Sequence, residues 1–316
     1  MGLHRKDLLG LEELDIGEIN LILDTADAMK EILGRDLKKV PTLRGKSVLC
    51  LFYEPSTRTR TSFEMAGKYL SADTSSIATS TSSIVKGESL VDTGRTIEAM
   101  GIDMVIIRHN SAGAPHKLAR ELSSSVINAG DGQHEHPTQG LLDMFTIREE
   151  KGRIKGLEIS IIGDILYSRV ARSNIWGLRK MGANIRIFGP PSLIPPYIDE
   201  LGVYVCDSME EAIEGADVIN ILRIQKERQV RGYFPSLREY ANLYGMNGDR
   251  LRTAKEDVLV LHPGPMNRGI EITSEVVESS NALIEEQVTN GVAVRMALMY
   301  LLLRGGKISE SVKSFN

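Results

Sequence analysis

Short runs of Val, Ile and Leu recur along the whole chain, separated by stretches whose apolar residues fall at helical spacing. No other feature restricts the fold as much. Strands are expected at Ser47–Leu51, Ser75–Thr79, Met104–His109 and Val126–Asn128, with helices after them near Ser56–Tyr69, Leu90–Met100, Ala114–Leu122 and Thr138–Glu150. A second series follows: strands Leu157–Ile162, Ile185–Phe188, Val203–Cys206, Val218–Leu222 and Asp257–Leu261, with helices at Val170–Met181 and Met209–Ile213. A helix over Leu11–Leu33, closed by Gly34, precedes them, and a long apolar helix over Glu285–Leu303 ends them. Strands alternating with helices pair in parallel, because each crossover returns the chain to the same end of the sheet, and such sheets are covered on both faces. The 316 residues suit two cores better than one. The expected class is therefore α/β: two domains, each a parallel sheet flanked by helices, joined by long helices, with the junction at the Asp131–Gly140 loop.

The bulk properties mainly exclude. A formal net charge of −4 argues against nucleic acid, whose phosphates demand a basic face. Any small anion must be held by local arginines. Cys50 and Cys206 are too few for a disulfide framework and cannot make a structural zinc site unaided. The N-terminal stretch lacks the apolar core of a signal peptide, and the longest apolar run, Met296–Leu303, is far short of the roughly 20 residues that cross a bilayer. A cytoplasmic protein without membrane partners is expected. Gly163-Asp164 follows a strand, but there is no G-x-G-x-x-G, so a dinucleotide is not expected.

The most informative turn is Phe52-Tyr53-Glu54-Pro55-Ser56-Thr57-Arg58-Thr59-Arg60-Thr61-Ser62-Phe63-Glu64. It leaves a strand and enters a helix, with Ser56 or Thr57 as the natural N-cap. Free N–H groups and the positive end of the helix dipole there attract an anion, and the Arg58 fork matches phosphate oxygens. An ordinary capped helix with solvated arginines is the competing reading. Arg108 ends a strand of Val and Ile, where side chains of open α/β sheets face the ligand crevice. His134-Glu135-His136 raises a metal reading through H-x-H, set aside because no third ligand of suitable type sits nearby and lone pairs of His rarely make a site.

The string S-T-R-T-R-T-S-F-E resembles the carbamoyl-phosphate signature of the carbamoyltransferases, the aspartate and ornithine enzymes, and the resemblance extends over nearly the full length. It implies that Ser56, Thr57, Arg58 and Thr59 hold carbamoyl phosphate together with Arg108, and that in H-P-T-Q the His136 side chain bonds the carbonyl oxygen while Gln139 touches the amide. Ser82 and Lys86 look like the family loop that enters a neighbouring subunit's site, which implies a homotrimer with shared active sites. Arg169 matches the arginine holding one carboxylate of the acceptor; Arg223 and Gln225 match the pair gripping the other, with Lys86 also at the acceptor. The ornithine enzymes carry Ser-Met-Gly and a Cys in a late H-C-L-P turn, whereas here that turn is His262-Pro263-Gly264-Pro265. Many aspartate enzymes have Leu where Gly264 stands. Backbone carbonyls of Pro263, Gly264 and Pro265 are the implied contacts, and Gly264-Pro265 is a candidate cis bond.

The implied reaction moves the carbamoyl group of carbamoyl phosphate to L-aspartate in pyrimidine biosynthesis, with Arg58, Thr59, Arg108 and His136 as the catalytic groups and no metal or organic cofactor. In that family the last helix returns to the first domain, so residues 1–135 with 286–316 form the carbamoyl-phosphate domain and 136–285 the aspartate domain. Regulatory chains or other pathway enzymes are further partners the resemblance allows. The rivals are a different acceptor such as ornithine, and a non-catalytic anion-binding subunit.

Overall fold

The structure, a computed structural model, describes residues 3–78, 88–225 and 236–304. The chain divides into two compact units, Met1–Leu141 with Thr289–Asn316 and Leu142–Val288. Both boundaries fall within helices, Pro137–Lys151 and Ile284–Arg304. Among the described residues no helix is long and apolar enough to cross a membrane.

In the first unit the order is α1 (Ile16–Leu33), β1 (Ser47–Phe52), α2 (Thr57–Tyr69), β2 (Asp73–Ala78), α3 (Leu90–Ala99), β3 (Met104–His109), α4 (Ala114–Glu121), β4 (Ser125–Asp131) and α5 (Pro137–Lys151). The sheet runs β2-β1-β3-β4 with every pair parallel, as the alternation requires. Val48 through Phe52 of β1 are all buried, the pattern of an inner strand covered on both faces. The polar β2 takes an edge. At the other edge β4 is wholly buried, because the N-terminal segment covers it: the Leu8 N–H donates to the Val126 carbonyl at 2.9 Å, and the Asn128 N–H to the Leu8 carbonyl at 2.8 Å.

The spacing predicts a first helix from Leu11, but α1 begins at Ile16. The Leu11 and Glu12 N–H groups donate instead to the Glu135 carboxylate at 2.8 and 3.1 Å. Asp15 then caps the helix in a capping box with Glu18. Leu11 and Leu14 are buried as their pattern suggests, in a turn rather than a helix.

Strand order reverses direction between β1 and β3. Right-handed crossovers then send α2 to one face and α3 and α4 to the other. The apolar cluster on the second face fits this, joining Leu49 and Leu51 of β1 and Val105 and Ile107 of β3 to Ile97 and Leu118 of the two helices.

The second unit repeats the scheme with β5 (Glu158–Ile162), α6 (Arg169–Lys180), β6 (Asn184–Phe188), β7 (Tyr204–Val205), α7 (Met209–Ile213), β8 (Val218–Ile221), α8 (Leu237–Tyr244), α9 (Gly248–Leu251), β9 (Leu259–Leu261) and α10 (Ser274–Val277), before α11 (Ile284–Arg304). Its sheet is β7-β6-β5-β8-β9, again parallel. The strand expected over Val203–Cys206 shrinks to two exposed residues at the edge. The helices α8, α9 and α10 were not expected from spacing; α9 and α10 have four residues each, too few for a 3.6-residue period to register. The cap of α8 was nonetheless legible in Ser236-Leu237-Arg238-Glu239, since the Ser236 hydroxyl accepts the Glu239 N–H at 3.1 Å.

Asp217 joins the starts of β5 and β8, accepting the Glu158 N–H at 2.8 Å and the Lys255 ammonium at 2.6 Å. Burial pushes its carboxyl up, but Lys255 and the Glu158 N–H outweigh it and leave the group below its ordinary value. A depressed carboxyl stabilises above its unfolded pKa and ceases to do so as pH falls through the folded value. Asp217→Asn is therefore expected to cost about 1 kcal/mol at neutral pH, Lys255 being solvent-screened, with the gap to the parent narrowing below roughly pH 4. Urea titrations at the two pH values measure this; an equal gap at both removes ionisation as the cause.

Candidate active site

The strand reversals locate two concave edges, one in each unit. In open α/β sheets, loops after the two strands flanking a reversal leave on opposite faces and part to form a crevice.

In the first unit the flanking strands are β1 and β3. The loop after β1 is held to the end of β3 by the Tyr53 N–H, which donates to the Arg108 carbonyl at 2.8 Å, and by the Tyr53 and His109 rings, 4.5 Å apart. Next comes α2, whose first expected cap is absent. Ser56 stands at the N-cap, but its side chain makes no capping hydrogen bond. The first ladder bond is from the Arg60 N–H to the Ser56 carbonyl, so the N–H groups of Thr57, Arg58 and Thr59 lie outside the helical ladder. Arg58 is exposed at this helix start and Thr59 is buried. Arg108 ends β3 half-buried, with Nε 3.1 Å from Glu54 Oε2 and Nη1 donating to the Ala129 carbonyl at 3.3 Å.

His136 and Gln139 enter from the neighbouring strand, β4. Asp131 at its end accepts N–H groups from Gly113 (2.7 Å) and Glu135 (3.1 Å) and the Asn128 amide (2.8 Å). Burial pushes the Asp131 carboxyl up, but His134, Asn128 and Gly113 together hold it below the ordinary value. Gly132 has φ +47, and a Cβ there would stand 2.7 Å from the Ala112 nitrogen, so this tight turn requires glycine. The turn delivers His136 buried at the start of α5, with the Thr138 hydroxyl 3.4 Å from its Nδ1 and the Gln139 N–H on its carbonyl at 2.9 Å. Ser82 and Lys86 lie outside the described residues.

Among the described residues the H-x-H pair, His134 with His136, does not form a ligand group. One ligand atom each from His116, Asp131 and His134 lies within 4.8 Å of the others, and His136 is not in this group. Asp131 stands three residues before His134, and α4 supplies the remaining atom from His116.

In the second unit the reversal lies between β5 and β8. Asp164, after β5, accepts the Tyr167 N–H at 3.1 Å and the Gln225 N–H at 3.2 Å, tying the two loops together. Arg169 opens α6 behind the Ser168 cap and is 3% exposed. Arg223 follows β8 at the same edge, half-buried, and its carbonyl accepts the Gln225 side-chain amide at 3.4 Å.

The His262-Pro263-Gly264-Pro265 turn follows β9, with a cis Gly264-Pro265 bond and Gly264 at φ +54. Gly264 occupies a region that glycine enters without steric cost, which suits this chain's departure from Leu. His262 is buried; its Nδ1 accepts the Gly264 N–H at 2.8 Å, so its proton sits on Nε2, 3.3 Å from Glu271 Oε1. The His262 N–H donates to Gln287 Oε1 at 2.9 Å, and the Gln287 amide donates to Asp143 at 2.7 Å. Asp143 also accepts amides of Asn174 (2.8 Å) and Asn220 (3.3 Å). Sequence reasoning missed Asp143, Glu271 and Gln287. Their only local signal is a polar residue on an otherwise apolar helix or loop face.

Two family models match. The aspartate/ornithine carbamoyltransferase carbamoyl-P binding domain covers residues 6–149, and the Asp/Orn binding domain of the same enzymes covers 155–302. The aspartate carbamoyltransferase catalytic subunit of Moorella thermoacetica is 67% identical over 305 residues, 96% of this chain and 99% of that protein. The Trypanosoma cruzi aspartate transcarbamoylase, solved with carbamoyl phosphate and aspartate, superposes with a TM-score of 0.84 at 30% identity, covering 93% of this chain and 96% of that one. The ornithine carbamoyltransferase of Thermus thermophilus also reaches 0.84, at 25% identity, with 96% and 100% covered. With both halves matched in order and most residues shared with a full-length relative, the chain belongs to the aspartate/ornithine carbamoyltransferase family.

Proposed function

We propose that this chain transfers the carbamoyl group of carbamoyl phosphate to the amine of L-aspartate, yielding N-carbamoyl-L-aspartate and phosphate for pyrimidine synthesis. Likeness of fold cannot choose the acceptor, since an aspartate enzyme and an ornithine enzyme superpose equally well. The observation that carries the choice is chemical. Arg169 and Arg223 share the reversal edge of the second sheet, and two guanidinium groups suit an acceptor with two carboxylates. The 67% identity with an aspartate enzyme points the same way.

In this reading the phosphate of the donor lies at the α2 N-terminus on Ser56, Thr57, Arg58 and Thr59, with Arg108, His136 and Gln139 at the carbamoyl group. The neutral aspartate amine attacks the carbonyl carbon and a C–N bond forms. Negative charge moves onto the carbonyl oxygen, where Arg58, Thr59, Arg108 and His136 stabilise it. The C–O bond to phosphate then breaks, and the amine proton leaves with phosphate or solvent. Donors fixed before reaction need no reorganisation as the charge develops. Pro263, Gly264 and Pro265 offer carbonyls to the carbamoyl amide. Carbamoyl phosphate belongs to the first domain, residues 1–135 with 286–316, and aspartate to the second, 136–285. Ser82 and Lys86 are assigned to the site of an adjoining subunit in a cytoplasmic homotrimer.

Carbamoyl transfer to aspartate and to ornithine, measured side by side, tests the reading; preference for ornithine overturns it. Arg223→Ala is expected to raise the KM for aspartate about 100-fold, a loss typical of one charge-assisted pair, while leaving the KM for carbamoyl phosphate within a few-fold. An unchanged aspartate KM removes Arg223 from the acceptor site. Sedimentation at several protein concentrations tests the trimer.

A further inference from the structure

At the turn from β4 into α5, α4 and the end of β4 bring His116, Asp131 and His134 together beside an open cleft of about 680 Å³ that both histidines line. We propose that these three side chains form a binding site for a transition-metal dication of the zinc class.

Four observations carry this. First, His134 Nδ1 stands 3.2 and 3.3 Å from the two Asp131 oxygens. These atoms form a hydrogen bond, and because donors about 2.0 Å from a tetrahedral metal are separated by about 3.3 Å, a dication can replace the bridging proton, released to solvent, with little movement. Second, Glu13 Oε1 lies 3.1 Å from His116 Nε2, and a carboxylate accepting that N–H leaves the ring's lone pair on Nδ1. Third, that Nδ1 is buried and has no hydrogen-bond partner among the described residues. A basic nitrogen hidden from water without a partner is costly, and a metal would remove the cost. Fourth, Asp131 is oriented by the Gly113, Glu135 and Asn128 donors, the outer support that metal-ligating carboxylates ordinarily have.

The class of ion follows from the donors. Two imidazoles and one carboxylate suit zinc, cobalt or nickel, whereas calcium and magnesium take oxygen-rich sites. Lys117, Arg120 and Glu121 line the same cleft, so charges of both signs surround it and the donor types decide the class of ion. Cleft water completes a tetrahedral set in the fourth position.

The test uses the full-length protein, stripped with chelator, desalted and titrated with Co²⁺ while tetrahedral visible bands are followed, then with Zn²⁺ in a calorimeter. The expected result is about one ion per chain, bound at least tenfold more weakly by His116→Asn and by His134→Asn, with melting in chelator and carbamoyl transfer unaltered in His116→Asn. No Co²⁺ band and no heat up to millimolar metal overturns the site, as does equal affinity in parent and both variants, which places any ion elsewhere. If His134→Asn melts lower in chelator, His116→Asn decides, because that side chain is a quarter exposed and its loss leaves the β4 turn intact.

Discussion

Arg58→Ala is expected to lower kcat/KM for carbamoyl phosphate by about 10³-fold, with most of the loss in kcat. The side chain is exposed in the first turn of α2, where the Ser56 hydroxyl leaves the helix start without a side-chain cap. A capping hydroxyl would occupy the N–H groups that an anion needs. Without it the dipole and the guanidinium act on one position. In the proposed reaction that position gains charge as the phosphate departs, so the arginine would contribute more to the transition state than to the bound donor. Arg58→Lys keeps the charge and loses the two-pronged fork, so an intermediate loss of about tenfold to a hundredfold is expected. Little of this belongs to folding, since an exposed first-turn arginine contributes only tenths of a kcal/mol to its helix. A variant with parent-like turnover and an unchanged melting curve would falsify the assignment of Arg58 to the reacting phosphate.

The second large effect is on stability. Asp143→Ala should destabilise the second unit by about 3 kcal/mol, because it strands the amides of Gln287, Asn174 and Asn220 in a water-free interior. Asp143 itself is fully buried. Asp143→Asn keeps the volume but retains only one acceptor oxygen, and about half the loss is expected. All four residues belong to the same compact unit, so amide-exchange protection in 142–288 should fall before that of the rest. A catalytic consequence follows through Gln287, whose oxygen accepts the His262 N–H and so helps hold the Pro263–Pro265 turn. Turnover of Asp143→Asn should therefore drop severalfold at temperatures where it remains folded. Equal protection loss in both units would show instead that they unfold as one.

The two outcomes have different legibility in the sequence. Arg58 was found because a short, dense string carries its meaning locally: a strand, a turn and a helix start within a dozen residues need no tertiary information to be read as an anion site. Asp143 was not found. It lies in α5 between apolar neighbours, and its three donors come from positions 174, 220 and 287, which only the fold brings to it. The same contrast separates Arg223, read from the Arg-x-Gln string, from Glu271, whose value lies in a contact with His262.

The sequence by itself determined the strand-helix alternation, the parallel pairing that alternation compels, and the identity of the charged groups at the strand ends, since these follow from periodicity and from residue types a few positions apart. Tertiary structure alone decided strand order, and with it the two reversals, at which the loop leading to Arg58 leaves the strand next to that of Arg108 and the loop leading to Arg169 leaves the strand next to the one before Arg223. It also decided that Leu11–Leu14 is a turn, because the Glu135 carboxylate takes the N–H groups a helix would have used. His134 likewise finds its companions in Asp131 and His116 rather than in the histidine two residues away. The physical reason is common to all these cases. Backbone period is a local property, whereas a buried polar group takes whichever partner the packed chain brings within hydrogen-bonding distance, irrespective of separation along the sequence.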